Sequence, residues 1–126
     1  GRIATALCRM LKIHTPYVTV LARNKKRMAE LALQQIGCLE IEQQGNAFEN
    51  AEIVFNTVPD TIIDPGALCK MAKTGIYVEL ASAPYGCPWE RIPDGIHKVL
   101  GNGLPGKRFP FSAAKSMAEV MVPYLI

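Results

Sequence analysis

No stretch of this sequence approaches the ~18 consecutive apolar residues that a membrane-crossing helix needs, so no transmembrane segment is expected. Cysteine is sparse. Cys8, Cys38, Cys69 and Cys87 stand far apart with no Cys-x-x-Cys pair. That spacing argues against a disulfide framework and for reduced thiols in a cytoplasmic protein, each read as a small buried hydrophobe. Cys87, inside a Pro-rich loop, is the one position with a reason to be watched. The two histidines, His14 and His97, share no ligand spacing with the cysteines, so no metal site is expected. Aromatic residues make up 7% of the chain, no basic stripe carries them, and the net charge is only +3, which excludes a general nucleic-acid surface. The chain opens on Gly1-Arg2-Ile3-Ala4 with no initiator Met, no signal peptide and no leading strand, and is expected to be incomplete.

What is present is an ordinary globular balance. The chain has 126 residues, 49% hydrophobic and 20% charged, enough for one core. Apolar periodicity predicts a helix over 2–13, with Ile3, Ala6, Leu7, Met10 and Leu11 on one face, ended by Thr15-Pro16. Strands are predicted at 17–21, 39–41, 52–56, 75–81 and 97–100, where β-branched and aromatic residues gather. A second helix is predicted over 25–36 with Gly37 as its stop. Residues 45–51 read as a connection with one helical turn. Asp64-Pro65 opens a helix to about Ala72, as N-cap and first-turn proline. A single turn is placed at 89–92, and a last helix over 111–125. The alternation of strand and helix with short connections implies α/β architecture: a doubly wound, Rossmann-like parallel sheet covered on both faces.

Such a sheet starts with a strand, then Gly-x-Gly-x-x-Gly/Ala, then a helix. Here Gly1 and Ala4 supply only the last part of that fingerprint. Residues 1–126 therefore read as one nucleotide-binding domain, a fragment lacking its first strand and any domain before it. The strands at 17–21 and 52–56 should flank the absent strand, unpaired with each other and ~10 Å apart. At the end of the strand that follows the first helix, such domains place an acid on the ribose hydroxyls of NAD. This sequence has Ala22, then Arg23-Asn24-Lys25. With no acid to repel it, a ribose 2′-phosphate could be forked by Arg23, with Lys25 adding charge. Basic residues at a helix N-terminus oppose the helix dipole, and a bound anion would reverse that penalty; the other reading is a solvated basic face.

Ligands of such sheets collect at the carboxyl ends of the strands. These ends carry Thr57-Val58-Pro59, Ala81-Ser82-Ala83 and the run from Gly101 to Gly106, all small or backbone-rich and suited to a flat ring; plain turn chemistry is the alternative. Glu79 falls at an inner strand position and needs a partner. Lys107 and Arg108 could meet a carboxylate or lie on a solvated loop. Trp89 and the methionines read as packing.

Taken together, Gly1-Arg2-Ile3-Ala4, Ala22-Arg23-Asn24, Phe55-Asn56-Thr57-Val58-Pro59, Glu79-Leu80-Ala81-Ser82-x-Pro84-x-Gly86, Gly103-Leu104-Pro105-Gly106-Lys107 and Pro110-Phe111-Ser112-Ala113-Ala114 come in an order that resembles the nucleotide-binding half of the dipicolinate synthase A-subunit family. The resemblance covers all 126 residues. It implies an oxidoreductase of spore-forming bacteria that makes pyridine-2,6-dicarboxylate from a dihydro or hydroxy-tetrahydro precursor. The implied cofactor is NADP, with NAD as the alternative. The implied partners are the small dicarboxylate substrate, further copies in a homo-oligomer, and a flavoprotein-like second subunit. Carried over, Gly1, Arg2 and Ile3 would meet the pyrophosphate, and Arg23, Asn24 and Lys25 the adenosine ribose phosphate. Thr57, Val58 and Pro59 would line the cofactor, Leu80, Ala81 and Ser82 its nicotinamide side, and Gly103, Leu104, Pro105 and Gly106 the substrate edge. No catalytic acid or base is assigned. Three positions depart from the family pattern: Glu79 where Asp is usual, Tyr85 in place of Gly, and Ala83 in place of a longer side chain. A shikimate- or hydroxyacid-type dehydrogenase domain is the rival enzyme reading and would need a catalytic Lys/Asp or His/Glu set, which this sequence does not show. A non-catalytic nucleotide-binding module is the third.

Overall fold

The computed structural model describes residues 1–101; the expected helix at 111–125 and the substrate-edge residues Gly103, Leu104, Pro105 and Gly106, with Lys107 and Arg108, lie outside them. The described chain falls into two compact units, residues 1–18 and the chain from Thr19 onward.

In the first unit a helix, α1, runs Arg2–His14 with Gly1 as its N-cap residue. Gly1 has no side chain to cap with, and its carbonyl instead accepts from both the backbone N–H and the hydroxyl of Thr5, each at 3.1 Å. Ala6, Leu7 and Leu11 form the buried stripe, as the 3.6-residue period predicts. The helix stops because Thr15 precedes a proline and is pushed to extended backbone (φ −148, ψ 140).

The second unit begins with a β-α-β crossover. Strand β1 (Thr19–Ala22) leads into helix α2 (Lys25–Leu33) and returns in strand β2 (Gly37–Glu40), parallel to β1 with Thr19 opposite Gly37 and Ala22 opposite Glu40. The end of α2 differs from the expectation. Gly37 does not stop the helix but opens β2. Gln35 takes the left-handed position (φ 58), and Ile36 N–H reaches back to Leu31 O while Gln35 N–H bonds Ala32 O. This is a Schellman closure with glutamine where glycine is usual. Burial of Ile36 just after it holds the turn. The next strand accordingly lies at 37–40 rather than 39–41, and Ile41–Gln43 form a 3₁₀ turn that leads into helix α3 (Gln44–Phe48).

A second parallel sheet follows: β3 (Ile53–Asn56), β4 (Ile76–Glu79) and β5 (His97–Leu100), in the order β3-β4-β5. Ile53, Ile76 and His97 are in register at one end, and Asn56, Glu79 and Leu100 at the other. Helix α4 (Pro65–Leu68) is shorter than expected; Asp64 is its N-cap residue, and tighter bonds carry the chain on to Met71. Phe48, Val54, Ile63, Leu68, Met71, Tyr77, Cys87 and Ile92 make the core, with Leu21 of β1 packed against it. Cover on both faces holds for β4, buried at every residue, and not for β5, whose His97 and Lys98 are exposed. Among the described residues β1 and β3 are not paired with each other but lie in separate sheets. No helix among them is long and apolar enough to cross a membrane.

Candidate functional site

The carboxyl ends of β3 and β4 are joined by one buried side chain. Glu79, fully buried, closes β4 in register with Asn56 of β3. Its Oε1 accepts from Asn56 Nδ2 at 2.7 Å and from the Ala81 backbone N–H at 3.0 Å. Its Oε2 accepts from the Tyr77 hydroxyl at 2.7 Å and the Gly86 backbone N–H at 3.0 Å. A carboxylate offers about four acceptor positions, and all are taken. Glu79 therefore acts as an acceptor hub and not as a base with a lone pair to spare. It is the partner question raised by the sequence, answered by four donors rather than a cation.

Each donor carries a piece of the rim. Asn56 turns its amide on its own loop as well: Nδ2 donates to Val58 O at 2.9 Å and Oδ1 accepts from Val58 N–H at 3.2 Å. This closes the turn at Thr57-Val58. Capture of the Ala81 N–H bends the chain out of the sheet, which is why β4 ends at Glu79 although apolar alternation continues to Ala81. Capture of the Gly86 N–H folds the loop back after a cis Ala83–Pro84 bond and Tyr85 at φ 67. Only glycine fits there, since a Cβ on Gly86 would lie 2.5 Å from Asn56 Cγ and Nδ2. The loop is fastened from outside as well, with Ile62 and Ile63 N–H both donating to Gly86 O. Tyr85 and Trp89 rings lie 6.3 Å apart, and Lys98 sits over the Trp89 ring at 5.2 Å, an arrangement of mutual packing with a cation–π contact.

Burial, then the hydrogen bond to Glu79 and its charge, push the Tyr77 hydroxyl well above the usual tyrosine range. Burial likewise raises the Cys87 thiol, with Arg91 opposing. Cys87 is fully buried and kept as a thiol, so it belongs to the core and not to reactive chemistry. Cys69, by contrast, is exposed, and Cys8 and Cys38 are half-buried, so the expectation of four buried cysteines holds for Cys87 only.

The sequence-predicted residues separate into three groups. Thr57, Val58 and Pro59 follow β3 while Leu80, Ala81 and Ser82 follow β4, so the sheet register brings both turns to one rim, with Leu80 N–H on Asn56 O and Gly101 N–H on Glu79 O. Ala81 is buried; Ser82 and Pro59 are exposed. The basic turn after β1 reaches the same rim through Asp60: Arg23 Nη1 lies 3.6 Å from Asp60 Oδ2. Asn24 caps α2, accepting from Arg27 N–H at 3.2 Å, Arg27 pairs with Glu30 at 2.9 Å, and Lys25 and Lys26 are exposed. Gly1, Arg2 and Ile3 belong to the other unit. A Cβ at Gly1 would meet nothing within 4 Å, so no close approach within the described protein requires glycine there. Among the described residues no group of His, Cys, Asp and Glu could hold a metal ion.

Sequence reasoning missed Asn56, Gly86 and Asp60 as residues that build the site. The polar Asn56 ending an apolar strand opposite Glu79 was the available signal for the first two. Asp60 had none, because its approach to Arg23 brings together two turns far apart in sequence.

Comparison with known proteins gives one consistent result. No protein-family model matches the chain. The curated A-subunit of dipicolinate synthase from Bacillus subtilis (strain 168) is 25% identical over 122 residues, 96% of this chain and 41% of that protein. The crystal structure of the dipicolinate synthase A-subunit from Bacillus halodurans superposes with a TM-score of 0.66 at 28% identity, covering 86% of this chain and 38% of the other. The corresponding structure from Bacillus subtilis gives 0.65 and 27%, covering 86% and 37%. The chain is thus similar to the dipicolinate synthase A-subunit in sequence and in its Rossmann-like fold, and spans well under half the length of those relatives.

Proposed function

We propose that this chain is the nicotinamide-cofactor-binding part of an oxidoreductase that forms dipicolinate, working in the cytoplasm of a sporulating cell with a flavoprotein-like second subunit. The observation that carries this reading is the strand-end rim, where two small-residue turns and a basic turn meet under the Asn56–Glu79 bond in a chain similar to the A-subunit of dipicolinate synthase. The side chains present suit an anionic, flat cofactor. The end of β1 offers Arg23 and Lys25 to solvent and no acid of its own, and the tied turns present backbone and small side chains. In this reading Arg23 and Lys25 hold the 2′-phosphate of NADP, with Asn24 fixing the helix beside it; NAD is the weaker alternative. Thr57, Val58 and Pro59 lie along the cofactor, Leu80, Ala81 and Ser82 shape the nicotinamide side, Gly1, Arg2 and Ile3 meet the pyrophosphate, and Gly103, Leu104, Pro105 and Gly106 border the dicarboxylate. The cofactor, when bound, supplies hydride chemistry, and the protein supplies position and electrostatics. Glu79 holds the rim in shape through the four hydrogen bonds that it accepts.

Titration of the full-length protein with NADPH and NADH tests this. NADPH should bind more tightly, and Arg23→Ala should weaken it by about tenfold or more, the scale of a lost charge-assisted phosphate contact, while NADH changes little. Equal binding of both, or binding of neither, overturns the reading.

A further inference from the structure

Arg23 is not free in this structure. Its guanidinium lies 3.6 Å from the Asp60 carboxylate, with the two side chains 56% and 62% exposed. The separation is longer than the ~2.8 Å of a charge-assisted hydrogen bond, so this is a loose pair held in open solvent. Asp60 itself is well placed. It directly follows Pro59, whose ring restricts the backbone, and that proline leaves the turn closed by Asn56 on Val58. The carboxylate therefore stands at the end of the rim turn, beside the basic turn that follows β1.

Two chemical consequences follow. In the absence of ligand, Asp60 places an opposite charge beside Arg23. A phosphate arriving at Arg23 meets a guanidinium already beside Asp60 and, while the two side chains stay near one another, sits with its negative charge close to that carboxylate. A cofactor with free ribose hydroxyls meets neither obstacle, and Asp60 can even accept from a hydroxyl. We propose that Asp60 is a specificity-determining residue, one that holds back the 2′-phosphorylated cofactor by competing for Arg23 and so narrows the preference that the basic turn would otherwise create. The proposal rests on the reading above that Arg23 faces the adenosine ribose.

The test compares the full-length protein with Asp60→Asn, Arg23→Ala and the double variant, using equilibrium binding of NADPH and NADH and of the fragments 2′,5′-ADP and 5′-AMP. Asp60 is exposed, so Asp60→Asn should fold normally, which a thermal melt checks. Asp60→Asn should tighten NADPH and 2′,5′-ADP about two- to fivefold, the scale of one exposed ion pair, and leave NADH and 5′-AMP unimproved. The gain should vanish in the Arg23→Ala background and shrink as salt is raised. An equal change for both members of either ligand pair, or weaker NADPH binding, overturns the role of Asp60 while leaving the cofactor reading in place. Failure of the unaltered protein to bind either dinucleotide overturns both.

Discussion

Glu79 is buried without a cation beside it among the described residues, and four donors stand in for one. Removing the charge while keeping the shape should therefore be costly. Glu79→Gln puts its amide NH₂ against at least one backbone N–H that can only donate, Ala81 or Gly86 depending on its orientation, with the Tyr77 hydroxyl the one partner able to turn and accept, and should lower unfolding stability by about 3 kcal/mol, read from the denaturant midpoint. Gly86→Ala should be comparably damaging, about 2–3 kcal/mol from overpacking, because the new methyl meets Asn56 at 2.5 Å and breaks the same network. Tyr77 gives a pH test. Its hydroxyl is held well above the ordinary tyrosine value, so above about pH 10 the unfolded chain gives up a proton that the folded one keeps. Stability should then be fully present below that pH and fall as it is passed, with a shallower fall in Tyr77→Phe. At this scale the sequence was half legible. A charged residue in an apolar strand announced that Glu79 needed partners, but two of the four are backbone N–H groups, whose presence no side-chain pattern reveals. Gly86 was visible as part of the motif that begins at Glu79, but the reason for a glycine there lies in the packing of Asn56, which no local pattern carries.

Among the elements, helix α2 is the most readable at its start and the least at its end. Its start at residue 25 is where the periodicity puts it, and the structure adds the cap: the Asn24 side chain accepts from Arg27 N–H. Asn24→Ala should cost about 1 kcal/mol of stability, seen as a lower melting temperature. The end was misread because Gly37 carries the usual stop signal while Gln35 adopts the left-handed turn instead, a choice decided by burial of Ile36 and invisible to local propensity. The strand expected at 52–56 lies at Ile53–Asn56 and the one at 97–100 matches to the residue, whereas the strand expected at 75–81 ends at Glu79, because capture of the Ala81 N–H by Glu79 is a tertiary event. Helix α4 shows the same limit: the Asp64-Pro65 start was legible, and its early tightening after Leu68 was not.

For the molecule as a whole, the order of elements was enough to foresee that β1 and β3 would not pair, and they do not. Two ladders, one of two strands and one of three, rely on a shared set of apolar side chains rather than on continuous hydrogen bonding. Amide exchange should separate them: the β4 amides, buried at every position, should be the slowest, and those of β1 and β2 should exchange at lower free energy. Equal protection in both sheets would show that the ladders open as one. The rim at the strand ends behaves differently, because a single side chain fastens the turn after β3 and the loop after β4 at once. Such a rim has little backbone freedom left to surrender. A ligand settling on it freezes almost no chain, so calorimetry of binding should show a heat-capacity change accounted for by the area buried in the contact, without the larger negative value that accompanies folding coupled to binding.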